Sequence, residues 1–174
     1  MIYDVLPAVV HPAVRLRALR ADDLRAWFDI LSQPRVHEHT SWNLASADDL
    51  RPYAHQASEP DSLARFAIAR LDDDALIGSA GFHTVSTANR TAEIAYDLAP
   101  EYWGRGIARA TCDALVTWAF ERQGLVRVQG TTVVSNARSV RVLEACGFAR
   151  EGLLRRYRMV RGAPRDFWIY SRLA

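Results

Sequence analysis

The sequence predicts an α/β fold of the α+β kind, with about seven strands and about four helices in a single domain over residues 1–174. Two observations predict it. Segments with hydrophobic residues at every second position alternate with segments that repeat at every third and fourth, in the order β-α-α-β-β-β-α-β-α-β-β. The length of 174 residues, with 49% hydrophobic and 24% charged residues, is typical of one globular domain.

The first half of the chain is predicted to hold one strand, two helices and three further strands. Residues 14–19 alternate as a strand, and the helix over residues 22–31 ends before Pro34. Ser46, followed by two aspartates, indicates a second helix that Pro52 shortens or kinks. No clear period covers residues 35–45. The strands follow at 65–71, 76–85 and 91–98.

The second half is predicted to begin with a helix whose apolar face runs from Ile107 to Trp118. A strand at residues 126–133 and a helix at 137–145 follow it. The chain then ends in a pair of strands at 152–159 and 166–173, joined by a turn at residues 161–164.

A glycine turn joins the strand that ends at Leu98 to the helix that begins near Ile107. Gly104 and Gly106 let bare backbone approach whatever lies above the turn, and the first N–H groups of the helix have no intrahelical carbonyl to bind. Free donors at the positive end of a helix dipole favour an anion such as phosphate. Tight packing of the backbone explains such a turn equally well.

Two nucleotide-binding families are excluded by residue type. A Walker loop requires a lysine after its second glycine, and this chain contains no lysine. A dinucleotide fold requires an acidic residue at the end of the next strand, where this chain has Thr-Thr-Val-Val.

The turn itself, Trp103-Gly104-Arg105-Gly106-Ile107-Ala108, resembles motif A of the GNAT superfamily of acyl-CoA N-acyltransferases, written Gln/Arg-x-x-Gly-x-Gly/Ala. Residues 136–148, NARSVRVLEACGF, match the second motif of that superfamily at the expected distance. Trp103 stands where the general motif has Gln or Arg, and in this respect the turn resembles that of the RimJ/RimL-type ribosomal-protein N-terminal acetyltransferases. The element order is also that of the GNAT fold, so the resemblance covers nearly the whole chain.

The resemblance implies a mixed, mostly antiparallel sheet whose strands splay apart where the pantetheine arm of acetyl-CoA binds. It places the pyrophosphate over residues 104–109. Asn136 is implied as a contact of the pantetheine arm, although a helix N-cap explains this residue as well. The cofactor-binding residues predicted in this way are Tyr96, Asp97, Leu98, Trp103, Gly104, Arg105, Gly106, Ile107, Ala108, Arg109, Asn136 and Ser139.

The chemistry that the resemblance implies is direct attack of a neutral amine on the thioester. Glu93 is the predicted base, acting through water, although pairing with Arg90 or Arg127 is an equal alternative. Many members use a tyrosine as the acid that protonates the leaving thiolate, but Leu143 occupies that position. Ser139, three residues after Asn136, matches a serine of the RimJ/RimL-type subgroup, and the resemblance implies that it donates to the thiolate, with a plain surface serine as the alternative.

The acceptor side is predicted from residues 33–45, which correspond to the segment that walls the acceptor site in the family. His37, Glu38 and Trp42 are the predicted acceptor-binding residues, with Glu38 suited to hold an ammonium group. His37 and His39 lack a third ligand at metal-site spacing, so no metal is predicted.

The predicted acceptor is a protein N-terminal α-amine of the ribosomal-protein type. A small amine such as a polyamine, an amino acid or an aminoglycoside is the first alternative, because subgroup resemblance is an analogy about substrate. A catalytically silent CoA-binding module is the second alternative, suggested by the missing tyrosine.

Composition restricts the remaining partners and the compartment. A net charge of +2 is too small to indicate nucleic-acid binding, and seven of the 22 arginines lie between Arg150 and Arg172, where a solvated hairpin explains them. No run of 18 apolar residues and no signal-peptide pattern occurs, which predicts a cytoplasmic protein without a membrane partner. The two cysteines are predicted to be reduced. The apolar segment at residues 167–170 is a candidate edge for pairing in a homodimer.

Overall fold

The computed structural model describes residues 5–54 and 64–174, which form a seven-stranded sheet in the order β1-β2-β3-β4-β5-β7-β6. All neighbouring strands are antiparallel except β4 and β5, which are parallel. The prediction of a mixed, mostly antiparallel sheet is therefore confirmed. The strands are β1 (Val14–Ala18), β2 (Ala64–Arg70), β3 (Leu76–Ser86), β4 (Thr91–Leu98), β5 (Arg127–Val133), β6 (Ala149–Val160) and β7 (Ala163–Leu173).

Five α-helices occur in the described residues: α1 (Asp23–Ser32), α2 (Pro34–His37), α3 (Arg51–Ala54), α4 (Ile107–Glu121) and α5 (Ala137–Ala145). The sequence analysis missed α2. Pro34 ends α1 as predicted, but it also occupies the first position of α2, where its missing N–H costs nothing. Ser46 caps a 3-10 turn in a capping box with Asp49, and only the short helix α3 follows. None of these helices is long and apolar enough to cross a membrane.

The helices pack on opposite faces of the sheet. Ile94 and Leu98 of β4 belong to a hydrophobic cluster with Leu115 of α4 and Leu143 of α5. The other face of β4 meets α1, because the indole N–H of Trp27 donates to a carboxylate oxygen of β4 at 2.9 Å. Since alternate side chains of a strand point to opposite faces, the odd-numbered residues of β4 face α1 and the even-numbered residues face α4 and α5.

The sheet opens between its two parallel strands. β4 and β5 pair only through three residues each, 91–93 and 127–129. Beyond that point β4 continues along β3 to Leu98, whereas β5 continues along β7 to Val133. A wedge-shaped gap therefore begins after Glu93 and widens toward the glycine turn.

The final hairpin is longer than predicted and tighter at its turn. Arg161 and Gly162 both have positive φ, 51° and 74°, which is the pattern of a two-residue type I′ turn between β6 and β7. β7 lies between β5 and β6 and pairs with both strands. Pairing of residues 167–170 with a second copy is therefore wrong, because the backbone of β7 is already bonded on both sides. The outer strand of this side of the sheet is β6.

Candidate active site

A cleft of about 420 Å³ lies at the open end of the gap between β4 and β5. Its walls come from four parts of the chain: α2 with the residues after it, the end of β4, the glycine turn, and the first turns of α5. Every residue predicted to bind the cofactor except Arg105 lines this cleft. The structure thus brings the two sequence motifs together, although contact with a cofactor stays a prediction for each residue.

The glycine turn forms an open cradle at the start of α4. Gly104 and Gly106 have φ values of 76° and 79°, a left-handed conformation that side chains with a Cβ rarely adopt. A Cβ built on either residue meets no atom within 4 Å, so the space above the turn is free. The first helical hydrogen bond joins the N–H of Ala110 to the carbonyl of Gly106, which leaves the preceding N–H groups without intrahelical partners.

Trp103 is bonded to the end of β4, and two arginine side chains contact its ring. Its indole N–H donates to the carbonyl of Leu98 at 2.7 Å. The guanidinium carbons of Arg35 and Arg138 lie 5.0 and 4.6 Å from its ring centroid, so α2 and α5 both send a positive charge to the mouth of the cleft. The resemblance to the RimJ/RimL-type subgroup rested on this tryptophan, but these arginine contacts were not predicted.

The backbone of β4 offers only part of its length to the gap. The N–H of Ala99 donates to the carbonyl of Ile77 on β3, so by alternation the backbone of Asp97 also faces β3. Tyr96 and Leu98 therefore present their backbone groups to the gap, and the carbonyl of Leu98 is already bound by Trp103.

The carboxylate of Asp97 does not face the cofactor cleft as a free group. It accepts hydrogen bonds from Arg65 at 2.5 Å, Ser79 at 2.7 Å and Trp27 at 2.9 Å. Arg65 and Asp97 are both buried, so the ion pair fixes the end of β4 against β2, β3 and α1. Composition and period gave no signal for this buried pair.

The start of α5 places Ser139 against β4. The side chain of Asn136 accepts from the N–H of Ser139 at 3.1 Å and so caps the helix, as the sequence predicted. The hydroxyl of Tyr96 lies 2.9 Å from the Oγ of Ser139 and 3.3 Å from its carbonyl oxygen. Burial raises the pKa of Tyr96 well above its ordinary value, so this phenol stays protonated.

Leu143 is buried at the narrow end of the gap. A Cβ on Gly130 of β5 would lie 3.1 Å from Leu143 and 3.3 Å from Ile94 of β4, so Leu143 fills the space between the two strands. Only 2% of Leu143 is exposed. The position that carries a tyrosine in many family members is thus a hydrophobic plug here.

Glu93 lies at the point where the gap begins and is held by several donors. Its carboxylate accepts from Thr131 at 2.5 Å and Arg158 at 2.9 Å, and it contacts the ring of His83 at 3.2 Å. Burial alone would raise the pKa of Glu93, but these hydrogen bonds and charges outweigh burial and hold it at about 2. A carboxylate with so low a pKa is a weak base at neutral pH. The predicted base role stays a prediction, and Arg158 replaces the two arginines expected as partners.

The predicted acceptor residues do not lie together. His37 and Glu38 line a second cleft of about 460 Å³ beside the hairpin between β6 and β7. Trp42 packs edge-on against Trp27 and Tyr53, with centroids 5.8 and 5.3 Å away. The acceptor role of all three stays a prediction.

His39 and Thr40 line the cofactor cleft, although they were not predicted to do so. They lie just after α2, where the N–H of His39 donates to the carbonyl of Val36 at 3.0 Å, and the sequence, which has no clear period over residues 35–45, gave no signal for them. The Nδ1 of His39 is buried and forms no hydrogen bond with the described residues. Thr40 also lines the second cleft, so the two clefts adjoin at this residue.

The hairpin turn is fastened to this segment by Arg161. Its guanidinium donates to the carbonyls of His37 at 2.7 Å, Glu38 at 3.2 Å and Thr40 at 3.4 Å. These three acceptors are uncharged carbonyls, so none of them compensates the positive charge of the Arg161 side chain. Arg165 lines the same cleft, and its side chain has no ion pair or hydrogen bond within the described part of the chain.

These features fit coenzyme A in two respects. The open cradle at Gly104 and Gly106 suits a pyrophosphate at a helix N-terminus. The gap between β4 and β5 suits an extended arm, because backbone groups of β4 there lack a strand partner. Within residues 5–54 and 64–174, no group of three or more potential metal ligands occurs.

Comparison with known proteins agrees with the resemblance carried by the two sequence motifs. The family model described as acetyltransferase (GNAT) domain matches residues 13–149. The Bacillus subtilis protein named uncharacterized N-acetyltransferase YoaA is 38% identical over 172 residues, which cover 96% of this chain and 97% of that protein.

Two further matches differ in the amine that their names state. The ribosomal-protein-serine acetyltransferase of Escherichia coli is 32% identical over 101 residues, which cover 58% of this chain and 56% of that protein. A crystal structure of spermidine N-acetyltransferase from Vibrio cholerae in complex with CoA and spermine matches with a TM-score of 0.78 at 24% identity, covering 92% of this chain and 95% of that chain. At that identity the likeness concerns the fold alone.

Proposed function

Because the chain belongs to the acetyltransferase (GNAT) family, whose members take the acetyl group from acetyl-CoA, we propose that its acceptor is the α-amine of a protein N-terminus. The observation that carries this proposal is the positive charge of the acceptor side. Arg161 and Arg165 line the cleft that adjoins the cofactor cleft, and among the described residues Glu38 is the one acidic residue of its lining. A polyamine carries only positive charges and would be repelled there, whereas a peptide brings carbonyls and carboxylates that arginine binds.

The weak base at Glu93 supports the same choice. With a pKa of about 2, Glu93 gives little help in removing a proton from an ammonium group. An α-amine with a pKa near 8 costs only about 1.4 kcal/mol to deprotonate at pH 7, whereas an amine near 10.4 costs about 4.6 kcal/mol. An enzyme without a strong base therefore favours an α-amine.

In this proposal the glycine turn binds the pyrophosphate of the cofactor, and the second motif positions Ser139. The N–H groups of residues 104–109 hold the pyrophosphate, and the backbone groups of Tyr96 and Leu98 that face the gap line the arm. Asn136 holds the first turn of α5 in place, so that Ser139 faces the reaction centre. Bound acetyl-CoA supplies a thioester carbonyl that a neutral amine attacks directly, and Ser139 donates a hydrogen bond to the departing sulfur.

An acceptor panel tests the proposal. Purified protein and acetyl-CoA are incubated at pH 7 with a peptide that has a free N-terminus, the same peptide with a blocked N-terminus and an internal lysine, and spermidine. Thiol release and mass spectrometry report the product. We expect kcat/KM for the free peptide to exceed that for spermidine by at least about tenfold. The chain has no lysine, so acetylation of the enzyme itself adds little background.

Two results would contradict the proposal. Turnover of spermidine without modification of any peptide N-terminus would assign a polyamine acceptor instead. Binding of acetyl-CoA without thiol release in the presence of any amine would indicate a silent module.

A further inference from the structure

Tyr96 reaches from β4 to the first turn of α5 across the cofactor cleft. Its hydroxyl lies 2.9 Å from the Oγ of Ser139, and both residues line the cleft. Tyr102 also lines the cleft, but its hydroxyl contacts Arg70 at 3.5 Å rather than α5. Tyr96 is therefore the tyrosine of the described cleft whose hydroxyl is joined to Ser139.

A serine hydroxyl alone is a poorly directed donor. Its single hydrogen rotates freely, and in one arrangement it points at the oxygen of Tyr96 and away from the cleft. In the other arrangement Tyr96 donates to the Oγ of Ser139, and the serine hydrogen is free to point into the cleft. The Tyr96 hydroxyl is also within 3.3 Å of the Ser139 carbonyl, but the contact with Oγ is the shorter of the two.

The phenol of Tyr96 suits the role of donor to Ser139. Burial raises its pKa above the ordinary value, so Tyr96 carries its hydrogen throughout the range in which the enzyme would work. Leu143 is a buried hydrocarbon at the position where a tyrosine would be expected. Tyr96 and Ser139 thus provide hydroxyl groups on this side of the cleft.

We propose that Tyr96 is a positioning residue that donates a hydrogen bond to Ser139 and thereby directs the serine hydrogen toward the departing thiolate. The amine nitrogen forms a C–N bond to the thioester carbonyl carbon, the C–S bond breaks with its electron pair on sulfur, and the serine hydrogen bond stabilises that charge. The proton that leaves the amine passes to water, and the sulfur takes up a proton from water afterwards. The proposal rests on acetyl transfer and on the predicted place of Ser139, and it is independent of the acceptor's identity.

A double-mutant cycle tests this coupling. The variants are Tyr96→Phe, Ser139→Ala and the double variant. Single-turnover thiol release is measured with the amine that the parent protein acetylates best. We expect each single variant to lose about tenfold in rate, and the double variant to lose no more than about tenfold. The Kd for CoA should stay within about twofold of the parent value, because Phe keeps the packing of Tyr96.

Tyr170→Phe is the matched control. The hydroxyl of Tyr170 also bonds α5, at Glu144 and 3.2 Å, but Tyr170 lies outside the cleft. This variant should keep the parent rate. Multiplicative losses in the double variant, a parent rate in either single variant, or loss of CoA binding in Tyr96→Phe would each overturn the proposal. A wrong acceptor class changes only the amine used, so failure of the proposed function is distinguishable from failure of the coupling.

Discussion

The indole N–H of Trp103 donates to the carbonyl of Leu98 at 2.7 Å and so ties the glycine turn to the end of β4. The guanidinium carbons of Arg35 and Arg138 lie 5.0 and 4.6 Å from the centroid of the same ring. One side chain therefore sets the shape of the cofactor cleft and the place of two positive charges at its mouth.

Trp103→Phe should weaken cofactor binding without changing the chemical step. Phe keeps an aromatic ring for the two arginines, but it removes the donor to Leu98, and such a hydrogen bond contributes about 1 kcal/mol. We expect KM for acetyl-CoA to rise about fivefold while kcat stays within about twofold of the parent value. Steady-state kinetics at varied acetyl-CoA measure both. An unchanged KM would show that the hydrogen bond does not support the cleft.

Gly106→Asp should abolish CoA binding, and Gly106→Asn is its matched control. Asp and Asn have nearly the same size, both cap helices, and both tolerate the left-handed conformation at φ 79° better than most residues. Only Asp brings a negative charge to the predicted phosphate site. We expect the Kd of Gly106→Asp for CoA to exceed that of Gly106→Asn by at least about tenfold in calorimetry at low salt. Equal affinities would place the pyrophosphate elsewhere.

Glu93→Gln should reduce stability in a manner that depends on pH. The native pKa is about 2 and the ordinary value is 4.5, so as pH falls from about 5 to about 2 the unfolded state binds the proton first and the parent protein loses stability. The corresponding contribution is about 3 kcal/mol, fully present above pH 5. Urea unfolding at several pH values should show a flatter profile for Glu93→Gln.

Glu151→Gln is the control for that experiment. Glu151 also binds an arginine, Arg127, but 41% of its side chain is exposed, so solvent screens the pair. Its loss should cost less than about 1 kcal/mol. Equal losses for the two variants would mean that burial of Glu93 contributes nothing to the ion pair.

Arg165→Glu should shift acceptor preference. The substitution reverses the charge beside the second cleft without removing a contact made by the Arg165 side chain within the described residues. We expect kcat/KM for spermidine to rise and that for the peptide to fall, each by about threefold to tenfold at low salt, with smaller effects at high salt. Arg122→Glu is the control, because Arg122 follows α4 beside the N-terminal segment and lines neither the cofactor cleft nor the second cleft. Equal effects of both variants would reflect net charge alone.

Local residue patterns determined most of the secondary structure and the cofactor motif. Glycine permits the positive φ of Gly104 and Gly106 without steric strain, and the cap by Asn136 needs only the three residues that follow it. Strand alternation and helix periodicity are likewise read within short windows. Trp103 indicated the RimJ/RimL-type subgroup for the same reason, because the motif is a contiguous segment.

The tertiary structure alone decided which side chains meet at the site. Arg158 reaches Glu93 from 65 residues away, and Arg65 reaches Asp97 from 32 residues away. Three further features depend on how the strands and helices pack together. These are the inner position of β7 in the sheet, the packing of Leu143 between β4 and β5, and the contact of Tyr96 with Ser139. Partner choice across such distances follows from packing and burial of the whole chain, which no short window of sequence contains, whereas backbone conformation in turns and caps is set by neighbouring residues.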